Sequence, residues 1–332
     1  MSEGAGRKAG SWPAGRVAAL AVAETIVWAG LFYVFPALIS RWEIDLGWTK
    51  TEIAGAYSLA LLCAAVGAPV AGRIIDAGHG RVLISICTAA GGVLISLSAL
   101  IESIRAFYAI WIGIGICLAG CLYEPCFAYL TRVLGERARR AITRITLVAG
   151  FAGTVSFPLA NVVATFQGWR ASVLVFGVLI LGVALPLFRY GTCLDSPGEP
   201  GESEGLPNAA VRTSPTGRGS LRRAMGTGTF WLLALTFSLI GLSHGIVITH
   251  LLPMLAERAV PLSVAVLAAA MIGPMQVAGR IAMMLVEQRV SMQRICSMSF
   301  VLMTGAILAL TGAGAAPWLL ALFVLFQAPV TE

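Results

Sequence analysis

A chain of 332 residues that is 58% hydrophobic and only 12% charged, with a mean hydropathy of +0.86, cannot cover a water-facing surface. Soluble domains carry about twice that share of charge, roughly 25%. The net charge of +7 is scattered over short connections rather than gathered in one patch, so nucleic acid is excluded as a partner. The apolar runs are solid and close to the roughly 20 residues that a helix needs to cross a bilayer. Barrel strands would instead alternate over about 10 residues. The seven cysteines have no metal or redox spacing. No histidine box, nucleophile elbow, phosphate loop or paired carboxylates stand in a suitable setting. Neither an enzyme, a cofactor nor a metal is expected.

In chain order, a tail over 1–15 precedes predicted spans at 16–39, 53–75, 82–101, 106–130, 145–166 and 171–189. A segment at 190–228, rich in Gly, Pro and Ser, is predicted to be a disordered linker because it cannot bury enough apolar surface to fold. Further spans follow at 229–252, 262–285 and 295–313, with a short one from about 317. The first run is too long for a signal-peptide core. Placing the N-terminus in the cytoplasm puts only Arg41, Lys50, Arg105, Arg170 and Arg258 outside, five of the 23 Lys and Arg residues. That is the asymmetry of the positive-inside rule.

Polar residues within the spans are the candidates for function, since an ionised side chain at mid-bilayer costs about 2.5–3.5 kcal/mol on insertion scales. Glu24 lies about 12 Å into the first span. It is either a protonatable coupling residue or a structural hydrogen-bonding group. Glu124, beside Pro125, is expected to pair with Arg73 or Arg132 rather than touch a solute. Thr154, Asn161 and Thr165 form one stripe, as do Thr236, Ser243 and His250; each suits a cavity wall or interhelical hydrogen bonds. His244 points elsewhere and reads as packed. Ala56, Ala60, Ala64, Ala68 and Gly72 form a small-residue face that needs a close partner helix. The pentapeptide Val70–Ile74 recurs as Val277–Ile281, ending the second span of each half. This points to the internal duplication common among transporters.

Residues 72–81, GRIIDAGHGR, resemble the loop signature of the major facilitator superfamily. Gly72 would let two helices approach, Arg73 and Gly80 belong to the same loop, Asp76 would accept from backbone donors, and Arg81 would anchor to anionic lipid. Ala77 stands where a basic residue is usual. Gly30, Tyr33, Phe35 and Pro36, followed by Gly47, Trp48 and Glu52, resemble the monocarboxylate-porter branch. In that branch a Lys follows the Phe-Pro and helix 8 carries Asp and Arg four apart. Here those positions hold Ala37, Gln276 and Arg280, so only the cation is kept.

The resemblance implies an all-α, major-facilitator-type bundle with a six-helix half at 16–189 and a partial half of about four helices at 229–332. It implies alternating access by a monomer in the plasma membrane, a bacterial inner membrane, moving a small organic anion with or without a coupled proton. Symport or uniport is favoured over antiport, because span four holds no Arg and span five no Gly-Pro pair. The expected cavity residues are Tyr33, Asn161, Ser243, His250, Gln276 and Arg280, with Glu24 as proton site. The end of the chain at Glu332, before the family's last two helices, reads as a C-terminal truncation. The alternative is a non-transporting receptor, scaffold or degenerate remnant.

Overall fold

The computed structural model describes residues 14–193, 225–286, 290, 292–312 and 317–327. Of the linker expected over 190–228, residues 190 and 191 still belong to a helix and Gly228 starts the next one, while 194–224 lie outside the described residues. All regular structure among the described residues is helical. Among the described residues six continuous segments are long and apolar enough to cross a membrane, two of them 51 and 54 residues long. Each of these two is more than twice the length of a single crossing.

The first segment comprises α1 (Ala14–Val27), a π-helical turn (Trp28–Tyr33) and α2 (Val34–Leu46). It ends at Gly47, whose φ of +70° closes the helix in a conformation that costs glycine little. Two residues later Thr49, together with Glu52, forms a capping box that starts α3 (Lys50–Ile74). The Glu52 amide donates to the Thr49 hydroxyl, and the Thr49 amide donates to the Glu52 carboxylate at 2.9 Å. Two orphan donors at the helix start are thereby satisfied.

Beyond α3 come α4 (Gly80–Leu97), α5 (Ile104–Cys121) and α6 (Tyr123–Leu134). Packing shows that α3 and α4 run in opposite directions. Along α5, Gly55 of α3 faces Tyr108 and Gly67 faces Ala119, a parallel order. Leu94 of α4 faces Gly113 and Cys87 faces Gly120, an antiparallel order. The reversal occurs at Gly78, where φ is +91°.

The second long segment holds α7 (Ala138–Ala149), α8 (Ala152–Leu179) and α9 (Leu185–Gly191). Within α8 the Ser172 hydroxyl donates to the Ala160 carbonyl at 3.2 Å. A straight helix would set residues twelve apart at about 18 Å, so the chain doubles back at Gly168, whose φ is +81°. The first arm of α8 lies parallel to the first segment: Ser156 meets Ala29 and Arg41 meets Thr165. The second arm and α9 lie antiparallel to it, with Phe176 against Gly30 and Gly191 against Leu20. Alternating direction through the bundle is what the sequence pattern requires.

Later in the chain lie α10 (Gly228–Glu257), α11 (Leu262–Val286), α12 (Met292–Gly312) and α13 (Pro317–Phe326). Residues 1–193 and 249–332 belong to one compact unit and 194–248 to another. In the second unit the Trp231 indole donates to the Met225 carbonyl at 2.9 Å. In the first, α11 runs antiparallel to α7 and α8. The Thr154 hydroxyl donates to Ala270 O at 2.7 Å, Gly273 abuts Gly150, and Arg280 donates to Thr146 O at 2.5 Å.

An aromatic core seals the end of the bundle near Thr49. Trp42, Trp111, Phe35 and Phe107 are fully buried. Phe35 meets Trp111 edge-on at 4.6 Å and stacks on Tyr57 at 4.4 Å. Such offset and edge contacts suit the aromatic quadrupole.

Candidate functional site

The π-helical turn at Trp28–Tyr33 is the local feature around which the site is built. Such turns widen a helix by one residue and leave carbonyls without their usual donors. Pro36 contributes, because it has no N–H to offer Phe32 O four residues earlier. The freed groups are taken up by other helices. Ser156, fully buried, donates to Ala29 O at 2.8 Å, and the Tyr57 hydroxyl reaches Phe32 O at 3.4 Å. A second case stands in α11. Pro274 deprives Ala270 O of its donor, and the Thr154 hydroxyl replaces it.

The widened turn presents three aromatic rings. Trp28 lies 4.9 Å from Phe32, and Phe32 lies 5.2 Å from Tyr33, centroid to centroid. Tyr123 of α6 meets Trp28 at 4.7 Å and stacks on Phe127 at 5.1 Å. Tyr33 reaches Phe157 of α8 at 6.1 Å. Unlike the sealed core near Thr49, Trp28, Phe32, Tyr33, Tyr123 and Phe127 are all half-buried.

Charged and polar groups border these rings. One turn before Trp28, Glu24 is completely buried. Its carboxyl lies beside the Cys126 thiol and the Trp28 indole, with Glu124 near enough for its charge to act on it. Neither Glu24 oxygen completes a hydrogen bond. On the other side, Arg280 stands within electrostatic reach of the Tyr33 hydroxyl. Gln276, one turn before Arg280, is buried with its amide nitrogen unsatisfied. Tyr33, Gln276 and Arg280 thus come from the first segment and from α11, 243 to 247 residues apart in sequence.

Other expected residues lie elsewhere. Asn161 is half-buried in α8, where its carbonyl accepts from Thr165. His250 is exposed, within electrostatic reach of Glu257. Ser243 belongs to the second compact unit and is half-buried. The stripe at 154–165 makes interhelical bonds: Thr154 to Ala270, and Thr165 from Arg41 at 2.9 Å.

Three expectations need correction. The ion pair between Glu124 and Arg73 or Arg132 does not form; the ion pairs among the described residues both involve Lys50. Arg132 instead donates to the Ile75 carbonyl at 3.1 Å and to the Asp76 carbonyl. Glu124, one helical position from Pro125 at the start of α6, is exposed on the side of Glu24. Gly72 is not a contact point, for a Cβ there meets nothing within 4 Å. The close approach belongs to Gly80, where a Cβ would stand 2.9 Å from the Tyr129 ring. Finally, the small-residue face of α3, expected to need a close partner helix, is covered only in part. Ala60 packs backbone to backbone on Gly115 of α5, and Ala68 stays exposed. Arg73 and the Asp76 residue are exposed and Arg81 is half-buried.

Helices that reverse at glycines, pack in alternating directions and widen around a half-open polar and aromatic cluster form the scaffold of a membrane transporter. The chain belongs to the Major Facilitator Superfamily, whose family profile matches residues 20–330. Proteins of this family are multi-pass membrane transporters that bind small solutes within the membrane. Among solved structures the chain is similar to a bacterial homologue of the human lysosomal transporter Spinster in an inward-facing, unoccupied conformation. The TM-score is 0.63 at 17% identity, over 97% of this chain and 74% of that one. It is also similar to a variant of the nucleoside transporter NupG, with a TM-score of 0.66 at 13% identity, over 95% and 78% of the two chains. At these identities the likeness speaks for the fold. No individually curated protein sequence matches the chain.

Proposed function

We propose that this secondary transporter moves a small organic anion, a carboxylate, by rocking two groups of helices about a central site. The single observation that carries this reading is Arg280 of α11 within electrostatic reach of the Tyr33 hydroxyl, with the buried Gln276 one turn before it on the same helix. It brings a guanidinium and a phenol from helices far apart in sequence to one place. The planar guanidinium of arginine matches the geometry of a carboxylate. Glu24, buried and unsatisfied, serves as the site that carries a coupled proton. The arrangement favours symport or uniport, as in the monocarboxylate-porter branch that the first hairpin resembles. The charge asymmetry orients the N-terminus to the cytoplasm.

Uptake of radiolabelled short carboxylates into proteoliposomes tests the proposal. Arg280→Ala is expected to reduce uptake at least about tenfold, the effect of losing one charge-assisted contact of roughly 1.5–3 kcal/mol. Arg280→Lys should retain a part of it. Unchanged uptake in Arg280→Ala removes Arg280 from the mechanism.

A further inference from the structure

Arg16 stands in the first turn of α1, at the end of the bundle away from Thr49. Its guanidinium lies over the Tyr190 ring of α9, 5.8 Å from the centroid. Among the described residues Arg16 forms no ion pair, and its Nη1 is buried without a hydrogen-bond partner. The residue as a whole is half-buried, so its other donors remain accessible. A cation partly removed from water without a counter-charge is costly. The ring face offsets only a part of that cost. The partner it calls for is an anion.

The surroundings point to a lipid rather than a soluble anion. α1 and α9 pack antiparallel here, with Gly15 facing the Tyr190 hydroxyl and Gly191 facing Leu20. From that contact exposed rows leave along both helices. Gly15, Ala18 and Val22 form one; Tyr190, Pro186 and Val183 form the other, reaching back into the π-helical turn at Ile180–Ala184. Spacings of three and four keep each row on one face, so the rows border one apolar seam that opens at the guanidinium. Such a seam suits an acyl chain. Tyr190 is 53% exposed and fits the headgroup level of a bilayer, where tyrosine collects. Arg189 beside it is exposed, as are Arg140 and Arg144 of α7, which packs on α1. We infer that the seam between α1 and α9 seats one anionic phospholipid, its phosphate accepting from the open donors of Arg16. The planar arginine fork can bond two phosphate oxygens at once. On the orientation proposed above, the site lies in the inner leaflet, the anionic one. It does not involve Tyr33 or Arg280 and so does not depend on the nature of the solute.

Native mass spectrometry of the full chain with mixed lipids tests this. Phosphatidylglycerol should outcompete net-neutral phosphatidylcholine for the first bound lipid by about tenfold or more, the effect of one charge-assisted contact. Arg16→Met, which keeps a long side chain without the charge, should remove most of that preference. Arg16→Lys should retain part of it, which guards against a merely misfolded variant. Arg105→Met removes an exposed cation at the Thr49 end and should leave the preference unchanged. Tyr190→Leu should lower it and Tyr190→Phe should not, because the ring face rather than the hydroxyl meets the cation. Millimolar glycerol 3-phosphate, the same phosphate without acyl chains, should not displace the lipid. No preference in the wild type, a preference that survives Arg16→Met, an equal loss in Arg105→Met, or displacement by glycerol 3-phosphate overturns the inference.

Discussion

Gly115 offers the sharpest test of the helix packing. A Cβ built there lies 2.2 Å from the Ala60 carbonyl oxygen and 2.7 Å from that residue's carbonyl carbon and Cα. All three are backbone atoms, so no side chain can turn aside. Reaching the 3.4 Å of ordinary contact from 2.2 Å requires α3 and α5 to separate by about 1.2 Å. Overpacking of this kind costs about 1–3 kcal/mol or more, and the better helix propensity of alanine returns up to about 1 kcal/mol. Gly115→Ala should therefore destabilise by about 2 kcal/mol, a fall in Tm of about 3 °C for a chain of this size. The control is Gly72→Ala, where no atom lies within 4 Å; propensity alone acts there and should raise Tm by a degree or two. Cys117 and Cys121 follow Gly115 on α5 and are buried, so once the exposed Cys193 and the half-buried Cys63 and Cys87 are replaced, a thiol-reactive fluorophore reads unfolding. If Gly115→Ala melts at or above the wild type, the close approach of α3 and α5 is wrong.

Ser156→Ala should cost about 1–2 kcal/mol by leaving Ala29 O buried without a donor, read as a lower Tm in detergent. Thr154→Val, which keeps shape but removes the 2.7 Å bond to Ala270 O, should cost about 1 kcal/mol. Tyr57→Phe should cost less, because its 3.4 Å bond is longer and weaker. The reverse order would contradict the role given to the carbonyls behind Pro36 and Pro274. Lys50 and Glu257 form an exposed pair at 2.5 Å. Lys50→Glu should weaken whatever the pair supports and Glu257→Lys should restore it. The difference should vanish in about 1 M salt, where screening acts within about 3 Å; persistence there would show that the pair acts by other means.

Hydropathy made the class of protein, the alternation of helix direction and the places of reversal legible, because a bilayer punishes misplaced charge over whole segments. The reversals at Gly78 and Gly168 fall where short polar connections were expected. Glu24 stood out for the same reason, whereas Tyr33, Gln276 and Arg280 came from the family resemblance of the first hairpin and the eighth span. Local partners were less legible. Arg132 could pair with a carboxylate or cap a helix end, and composition does not tell the two apart. The π-helical turn leaves no hydropathy signal at all. Pro36 was its available marker, as Pro274 was for α11, each naming a carbonyl four residues earlier that needs another donor, and Tyr57 and Thr154 were the hydroxyls in reach. Gly72 misled because a motif glycine was credited with contact when the turn needed its freedom at Gly78.

The abutment of Gly273 on Gly150, where a Cβ would stand 2.6 Å from a carbonyl oxygen, has a mechanical meaning. It lies between the Lys50–Glu257 contact at one end of the bundle and the Arg280–Thr146 contact toward the other. On the rocking proposed above, such a junction would be a fulcrum, with the two contacts on opposite lever arms. Shimming it with one methyl group would alter the opening of both mouths in opposite senses, through a residue that touches no cargo.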